Sequence, residues 1–376
     1  MFSDLTLEET IIEYRRSLHR IPELMFDLPE TRKYLLSVLE PLGFEIRDLG
    51  ECGFTVFIDA GKNDTVAFRC DMDALSVTEP EGCVFGSVHE GRMHACGHDG
   101  HMAILLGLAQ KIFLYPDELS YNCLLVFQAA EEAGGGAKFV RDSGVLRDYG
   151  VSRIYGLHLW PRGPENTILC RPGEFMASMN LLEIEIEGRQ THIAEYKESL
   201  DTLEAGCIFV GRLYEFEKEI PSDVLRLLRL GKFVGGTTHN IIPGYTQLMG
   251  SIRTFDEKTY NEILSGIEKI MRDIEAEKGV RFSYRIIDGY PPVINHSGLY
   301  EQARSALTGA GFAWQVPEKP SLGGEDFSFY QKEIPGLYMF LGMGSDSVLH
   351  SPDYVMNEKA LITGTNLMWT LLSGNG

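Results

Sequence analysis

The sequence predicts an α/β protein: an open-sheet α/β domain with a smaller α+β domain inserted into it. Three observations predict this. Apolar strands alternate with helices over roughly the first half of the chain, and such strands, apolar on both faces, belong in a sheet covered on both sides. After about Ala177 the texture changes, and NLLEIEIEG alternates apolar and charged residues with period two, as a half-exposed antiparallel strand does. After GYPPVIN (Gly289 to Asn295) the first texture returns. The expected boundaries are residues 1–176 and 291–376 for the larger domain and 177–290 for the inserted one. A chain of 376 residues is long enough for two domains.

The elements follow in order. Thr6 and Glu9 form a capping-box pattern, and Ile11, Ile12, Tyr14 and Leu18 recur near helical spacing behind it. Thr31 to Leu42 repeats that pattern. FTVFIDA (Phe54 to Ala60) and TVAFRCDMDAL (Thr65 to Leu75) read as strands joined by the turn GKND. Met102 to Phe113 is an apolar helix, Leu124 to Gln128 a buried strand, and EEAGGGAKFV the start of another helix. In the inserted domain, helices at Leu200 to Glu217 and Thr259 to Lys278 accompany strands at Thr246 to Thr254 and Arg281 to Ile287. A helix at Leu299 to Ala310 and the strand LYMFLG (Leu337 to Gly342) complete the larger domain.

Composition narrows the function. Net charge is −20, which argues against nucleic acid, whose phosphates require clustered Lys and Arg. It argues equally against an anionic lipid surface. The seven cysteines are widely spaced with no CxxC pair, unlike a disulfide scaffold. No run of about 20 apolar residues is available for a membrane span. The first residues are acidic where a signal peptide would be basic. The expectation is a cytoplasmic protein.

The chemistry concentrates in HACGHDGHMA (His94 to Ala103), with three His, one Cys and one Asp in ten residues. Gly97 and Gly100 allow a tight turn on which these side chains converge. Thiolate beside imidazole suits zinc, cobalt, nickel or manganese-type sites better than magnesium or calcium. Glu131 and Glu132 follow the strand LLVFQ, where one carboxylate could bind a metal and the other serve as general base. Taken alone, the pair reads better as a charged helix start, although the GGG behind it suggests close backbone packing beside a ligand. His158 in YGLHLWP and His350 in LHSPDY each follow an apolar segment, and each alone could be an ordinary histidine. Together, these residues sit where ligands converge in an open α/β sheet.

Along nearly its whole length the chain resembles the M20 family of metallopeptidases and amidohydrolases, in its aminoacylase-like and hippurate-hydrolase-like branch. The resemblance rests on LHRIPEL, RCDMDAL, HACGHDGH, FQAAEEAGGGA, GLHLWP, NIIP, GSIRT, GGEDFSFY and LHSP, in that order. It implies a zinc-peptidase-like catalytic domain carrying a ferredoxin-like lid or dimerisation domain, and hence a possible homodimer. It implies two divalent ions (Mn, Zn, Co or Ni) held by Cys96, His98, Glu132, His158 and His350, with Glu131 as general base. Asp71 and Asp73 would orient a ligand histidine. His192 in the inserted domain would donate to the oxyanion, and Arg253 and Asn240 would bind substrate.

The implied reaction is removal of an acyl group, most simply acetyl, from an N-acyl amino acid. THIAEYKES, GYPPVIN and GEDFSFY are similar to the branch that deacetylates N-acetyl-diaminopimelate in lysine biosynthesis. Hydrolysis of hippurate, another N-acyl amino acid or a dipeptide is the alternative within the class. A non-catalytic metal-binding scaffold is the alternative outside it. The family usually has FQPAEEGGGGA, from which Ala129 and Ala133 are mild departures, and GKGGHA, where this chain has Gln190 and Thr191 beside His192, so the lid loop is expected to suit a different substrate.

Overall fold

The computed structural model describes residues 5–374 and divides into two compact units. The first comprises the residues up to Phe175, Ile294–Pro320 and the chain from Asp326 onward; the second comprises Met176–Val293 and Ser321–Glu325. The short Ser321–Glu325 piece departs from the boundaries expected from sequence. Its carbonyls explain the assignment, because Ala177 N–H donates to Ser321 and Gly323 oxygens, both at 3.0 Å.

The first unit is built on an eight-stranded sheet. Its order is Glu45–Asp48, Gly53–Ile58, Asn122–Gln128, Thr65–Asp71, Val151–Trp160, Gly336–Gly342, Thr167–Leu169 and Ala313–Gln315. The four strands from Asn122–Gln128 to Gly336–Gly342 run parallel. Three of them, Thr65–Asp71, Asn122–Gln128 and Gly336–Gly342, are buried at every position, as central strands covered on both faces must be. From Thr65–Asp71 the chain moves to one neighbour, Asn122–Gln128, and then to the other, Val151–Trp160. The carboxyl ends at such a reversal are where open α/β sheets form their binding crevices.

Thr6 caps the helix Leu7–His19, with both halves of the capping box formed. This helix packs on His98–Leu114 and Ala360–Ser373 over the apolar core. Two boundaries differ from the sequence reading with consequences for the site. The Thr65 strand ends at Asp71 rather than Leu75, and the expected Met102 helix begins at His98. His98 and His101 therefore occupy its first turn.

The second unit runs strand, helix, strand, strand, helix, strand. Its antiparallel sheet is ordered Leu227–Gly235, Tyr245–Arg253, Met179–Glu187 and Arg281–Tyr290. That is the ferredoxin-like arrangement. Leu182, Ile184 and Ile186 form a core with Phe209 of the Thr202–Glu219 helix and Ile267 of the Glu257–Lys278 helix. Among the described residues no helix is long and apolar enough to cross a membrane.

Candidate metal centre

The candidate residues are delivered by four segments at the carboxyl ends of the parallel strands. Cys96 and His98 come from the loop and first helical turn after Thr65–Asp71. Gly97 between them has φ +91°, and a Cβ there would lie 2.6 Å from the Tyr354 hydroxyl, so glycine is required on both counts. Glu131 and Glu132 follow Asn122–Gln128 by a turn. The helix after them begins only at Gly136, so they do not cap a helix. Ala130 is held at φ +55°, an unusual value for a residue with a side chain, and such strain concentrates at functional sites. A Cβ on Gly136 would lie 1.8 Å from the Ala129 carbonyl oxygen, so the triple glycine packs against the end of its own strand. His158 lies near the end of Val151–Trp160. His350, at φ +64°, is pinned by its N–H to the Ala95 carbonyl at 2.9 Å.

These segments bring all five candidate ligands together. The donor atoms of Cys96, His98 and His158 lie within 4.8 Å of one another, and so do those of Cys96, Glu132 and His350. The two sets share Cys96, whose sulfur is 3.4 Å from His158 Nε2. Glu131 joins a third grouping with His98 and Glu132.

The donor set fits divalent metal on an observation independent of residue type. His98 Nε2 and Glu132 Oε1 are buried, have no hydrogen-bond partner, and stand 3.8 Å apart. His350 Nε2 approaches the same carboxylate oxygen at 3.4 Å. Burying such groups unpaired is costly, and an ion coordinated by both removes that cost. The other ring nitrogens are already engaged. His98 Nδ1–H donates to the Asp73 carbonyl at 2.8 Å and His158 Nδ1–H to the Leu159 carbonyl at 2.8 Å, so each presents Nε2.

The electrostatics follow from burial and crowding. Burial works against a charged His98, yet the carboxylates of Asp71, Asp73 and Glu132 push its pKa up to about 10. Burial and the neighbouring His101 push His158 down to about 3. Burial, with Glu132 and Glu131 beside it, raises the Cys96 thiol well above its ordinary value. A cation among these donors would reverse the upward shifts of His98 and Cys96 and deepen the downward shift of His158.

Two expected roles are corrected. Asp71 accepts from His101 Nδ1–H at 2.7 Å and from Arg69 at 2.8 Å, so its hydrogen bond to an imidazole goes to His101, while the carboxylate also lies 3.7 Å from His98 Nε2. His101 Nε2 is taken in turn by the Leu159 N–H at 3.0 Å and presents no free nitrogen. Asp73 hydrogen-bonds His98 through its carbonyl at 2.8 Å, with its carboxylate 3.6 Å from the same nitrogen. The carboxylate instead accepts the N–H groups of Glu131 (2.9 Å) and Glu132 (3.1 Å), fixing the turn that aims both.

Sequence reading missed Arg69 and Asp326. Arg69, 1% exposed, is paired with Asp326 at 2.6 Å, while Gln128 bonds both side chains and Ala137 N–H donates to Asp326. An arginine inside the otherwise apolar strand TVAFRCD was the available signal, since a buried guanidinium must find a carboxylate.

The second unit places His192 and Asn240 side by side. His192 pairs with Ile241, and Ile193 N–H donates to the Asn240 carbonyl at 3.0 Å. His192 is exposed, and its Nδ1 accepts from Ala194 N–H. Arg253 is half-buried, donates to the Leu322 carbonyl at 2.6 Å, and keeps a buried Nε with no hydrogen-bond partner.

An open α/β sheet that gathers zinc-type donors and a further carboxylate at its strand ends defines a metal-dependent hydrolase. Residues 67–373 match the family described as peptidase family M20/M25/M40, and the chain belongs to that family as one of its amidohydrolases. It is 34% identical to an N-acetyldiaminopimelate deacetylase of Bacillus pumilus, over 96% of each chain. It is 33% identical to an N-acetyl-L-cysteine deacetylase of Bacillus subtilis, over 97% of this chain and 88% of that one. Among solved structures, a Bacillus subtilis protein described as a dinuclear metal binding peptidase of the M20 family superposes with a TM-score of 0.86. It is 30% identical, over 98% of both chains.

Proposed function

We propose that this amidohydrolase deacetylates an N-acetylated amino acid, with N-acetyl-diaminopimelate as its substrate in lysine biosynthesis. The observation that carries the reading is the pair of donor sets sharing Cys96, with Glu131 on the adjoining turn. The relatives named for acetyl-amide substrates at 33–34% identity support the acetyl group.

The two sets, Cys96 with His98 and His158 and Cys96 with Glu132 and His350, would each hold one divalent ion. When bound, these ions supply Lewis-acid polarisation of the amide carbonyl and lower the pKa of water. Glu131, held by Asp73 through its backbone, takes a proton from the attacking water as oxygen bonds to the carbonyl carbon. As the C–N bond breaks, the same carboxyl returns that proton to the departing nitrogen, releasing acetate and the free amine. We assign His192 as hydrogen-bond donor to the developing oxyanion, and Arg253 and Asn240 as substrate-binding groups. Arginine suits this because its planar fork matches a carboxylate.

The test is release of free amine from N-acetyl-diaminopimelate, N-acetyl-L-cysteine and hippurate by protein reconstituted separately with Mn, Zn, Co and Ni. A kcat/KM highest for N-acetyl-diaminopimelate is expected. Preference for N-acetyl-L-cysteine would transfer the assignment to the second reading, which the 33% identical relative favours. His192→Ala should lower kcat on the order of 10²–10³-fold with little change in KM, because an oxyanion donor acts in the transition state. Unchanged kcat with intact metal content would remove His192 from the reaction.

A further inference from the structure

A second group of metal-type donors lies in the first unit, in residues the proposed reaction does not use. The ligating atoms of His19, Glu79 and Cys83 lie within 4.8 Å of one another. Atoms bound to one zinc ion at about 2.0–2.3 Å can stand at most about 4.6 Å apart, so small side-chain rotations close the set. His19 is buried at the end of the Leu7–His19 helix. Its Nδ1–H donates to Asp99 at 2.7 Å, which leaves Nε2 facing Glu79 Oε1 at 2.9 Å. A buried carboxylate behind the remote ring nitrogen is the support that metal-binding histidines usually have. Asp99 is fixed in turn by Arg15 at 2.9 Å.

The surroundings suit a ligand site. Glu79 and Cys83 belong to the long loop between Leu75 and Met93, which pair with each other while the residues between form no strand or helix. The loop folds tightly around the donors: Gly86 N–H donates to the Cys83 carbonyl, and a Cβ on Gly86 would sit 3.2 Å from Glu79 Oε2. His19, Glu79 and Cys83 open onto a pocket of about 600 Å³ that Tyr354 also lines. Tyr354 is 4% exposed, and its buried hydroxyl has no hydrogen-bond partner.

We propose that His19, Glu79 and Cys83 form a separate site for a zinc-type divalent ion, with its remaining coordination position open to the pocket. The ion replaces the proton held between His19 Nε2 and Glu79 and the proton of the Cys83 thiol, so binding releases protons to solvent. It fastens the loop leading into HACGH to the end of the first helix. Imidazole, carboxylate and thiolate together select zinc over magnesium or calcium.

Cys83 and Cys207 are both exposed thiols, and Cys207 lies outside the donor set, so it serves as internal control. Full-length protein is treated with iodoacetamide with and without added Zn²⁺, and each cysteine-containing peptide is quantified by mass. Zinc should slow alkylation of Cys83 at least about tenfold and leave Cys207 unchanged. In parallel, Cys83→Ala should bind one zinc ion fewer per chain than wild type in elemental analysis while retaining amidohydrolase activity. Equal zinc sensitivity at the two cysteines, or an unchanged metal count in Cys83→Ala, would overturn the proposal. Glu79→Gln should lose the same ion, and its retention there would count equally against it.

Discussion

Replacing Glu131 by glutamine should lower kcat on the order of 10²–10⁴-fold, the contribution of a positioned general base, while bound metal stays constant. The side chain keeps its shape, and the backbone N–H keeps its 2.9 Å bond to Asp73. What is lost is only the capacity to accept a proton. Glu131 belongs to neither donor set built around Cys96, so those ligands are untouched. Turnover and elemental analysis on the same sample decide the matter. Loss of metal would make Glu131 a ligand, and near-wild-type turnover would assign the proton transfer elsewhere.

The largest effect on stability is expected from Asp326→Ala. Asp326 is wholly buried, and its two oxygens serve Arg69, Gln128 and Ala137 N–H at 2.6–2.9 Å. Removing it leaves a buried guanidinium with Asp71 as its remaining carboxylate and strands two further donors. Breaking a buried pair from one side costs about 3–5 kcal/mol. The Ala137 bond also anchors the start of the helix behind the Glu131–Glu132 turn, so activity should fall along with stability. Denaturant unfolding followed by a first-unit probe gives the measurement. Arg69→Met combined with Asp326→Leu should recover part of the loss, because the buried guanidinium leaves together with its partner carboxylate and Asp71 keeps its bond to His101. A midpoint in Asp326→Ala equal to wild type would mean the network contributes nothing.

Much of the fold is legible in the sequence because its signals are local. The capping box at Thr6 and Glu9, the period-two run NLLEIEIEG, and the buried strands around LLVFQ and LYMFLG depend on residues a few positions apart. Several short strands escaped, and so did two longer elements. Ala360–Ser373 is apolar almost all round, as a helix buried on every side is, so it has no contrast of period 3.6 to read. Leu227–Gly235 is an edge strand, largely exposed, and its register shifts between Leu230 and Lys232, which breaks the alternation.

The sequence by itself determined the candidates for the site: a thiol, imidazoles and carboxylates at the ends of apolar segments. It could not determine which atoms are available. HACGHDGH offers three histidines of the same chemistry, and tertiary packing separates them. His101 is taken on both nitrogens by Asp71 and by the Leu159 N–H. His94 is buried with neither nitrogen partnered, and burial pushes its pKa down to about 3. His98 is turned by the Asp73 carbonyl so that Nε2 faces Glu132. Tertiary structure alone also revealed that Asp326 neutralises Arg69 from 257 positions away. The reason is physical. Residue type fixes what a side chain can donate or accept, but a ring nitrogen is free or occupied according to backbone groups that only the closed sheet brings beside it.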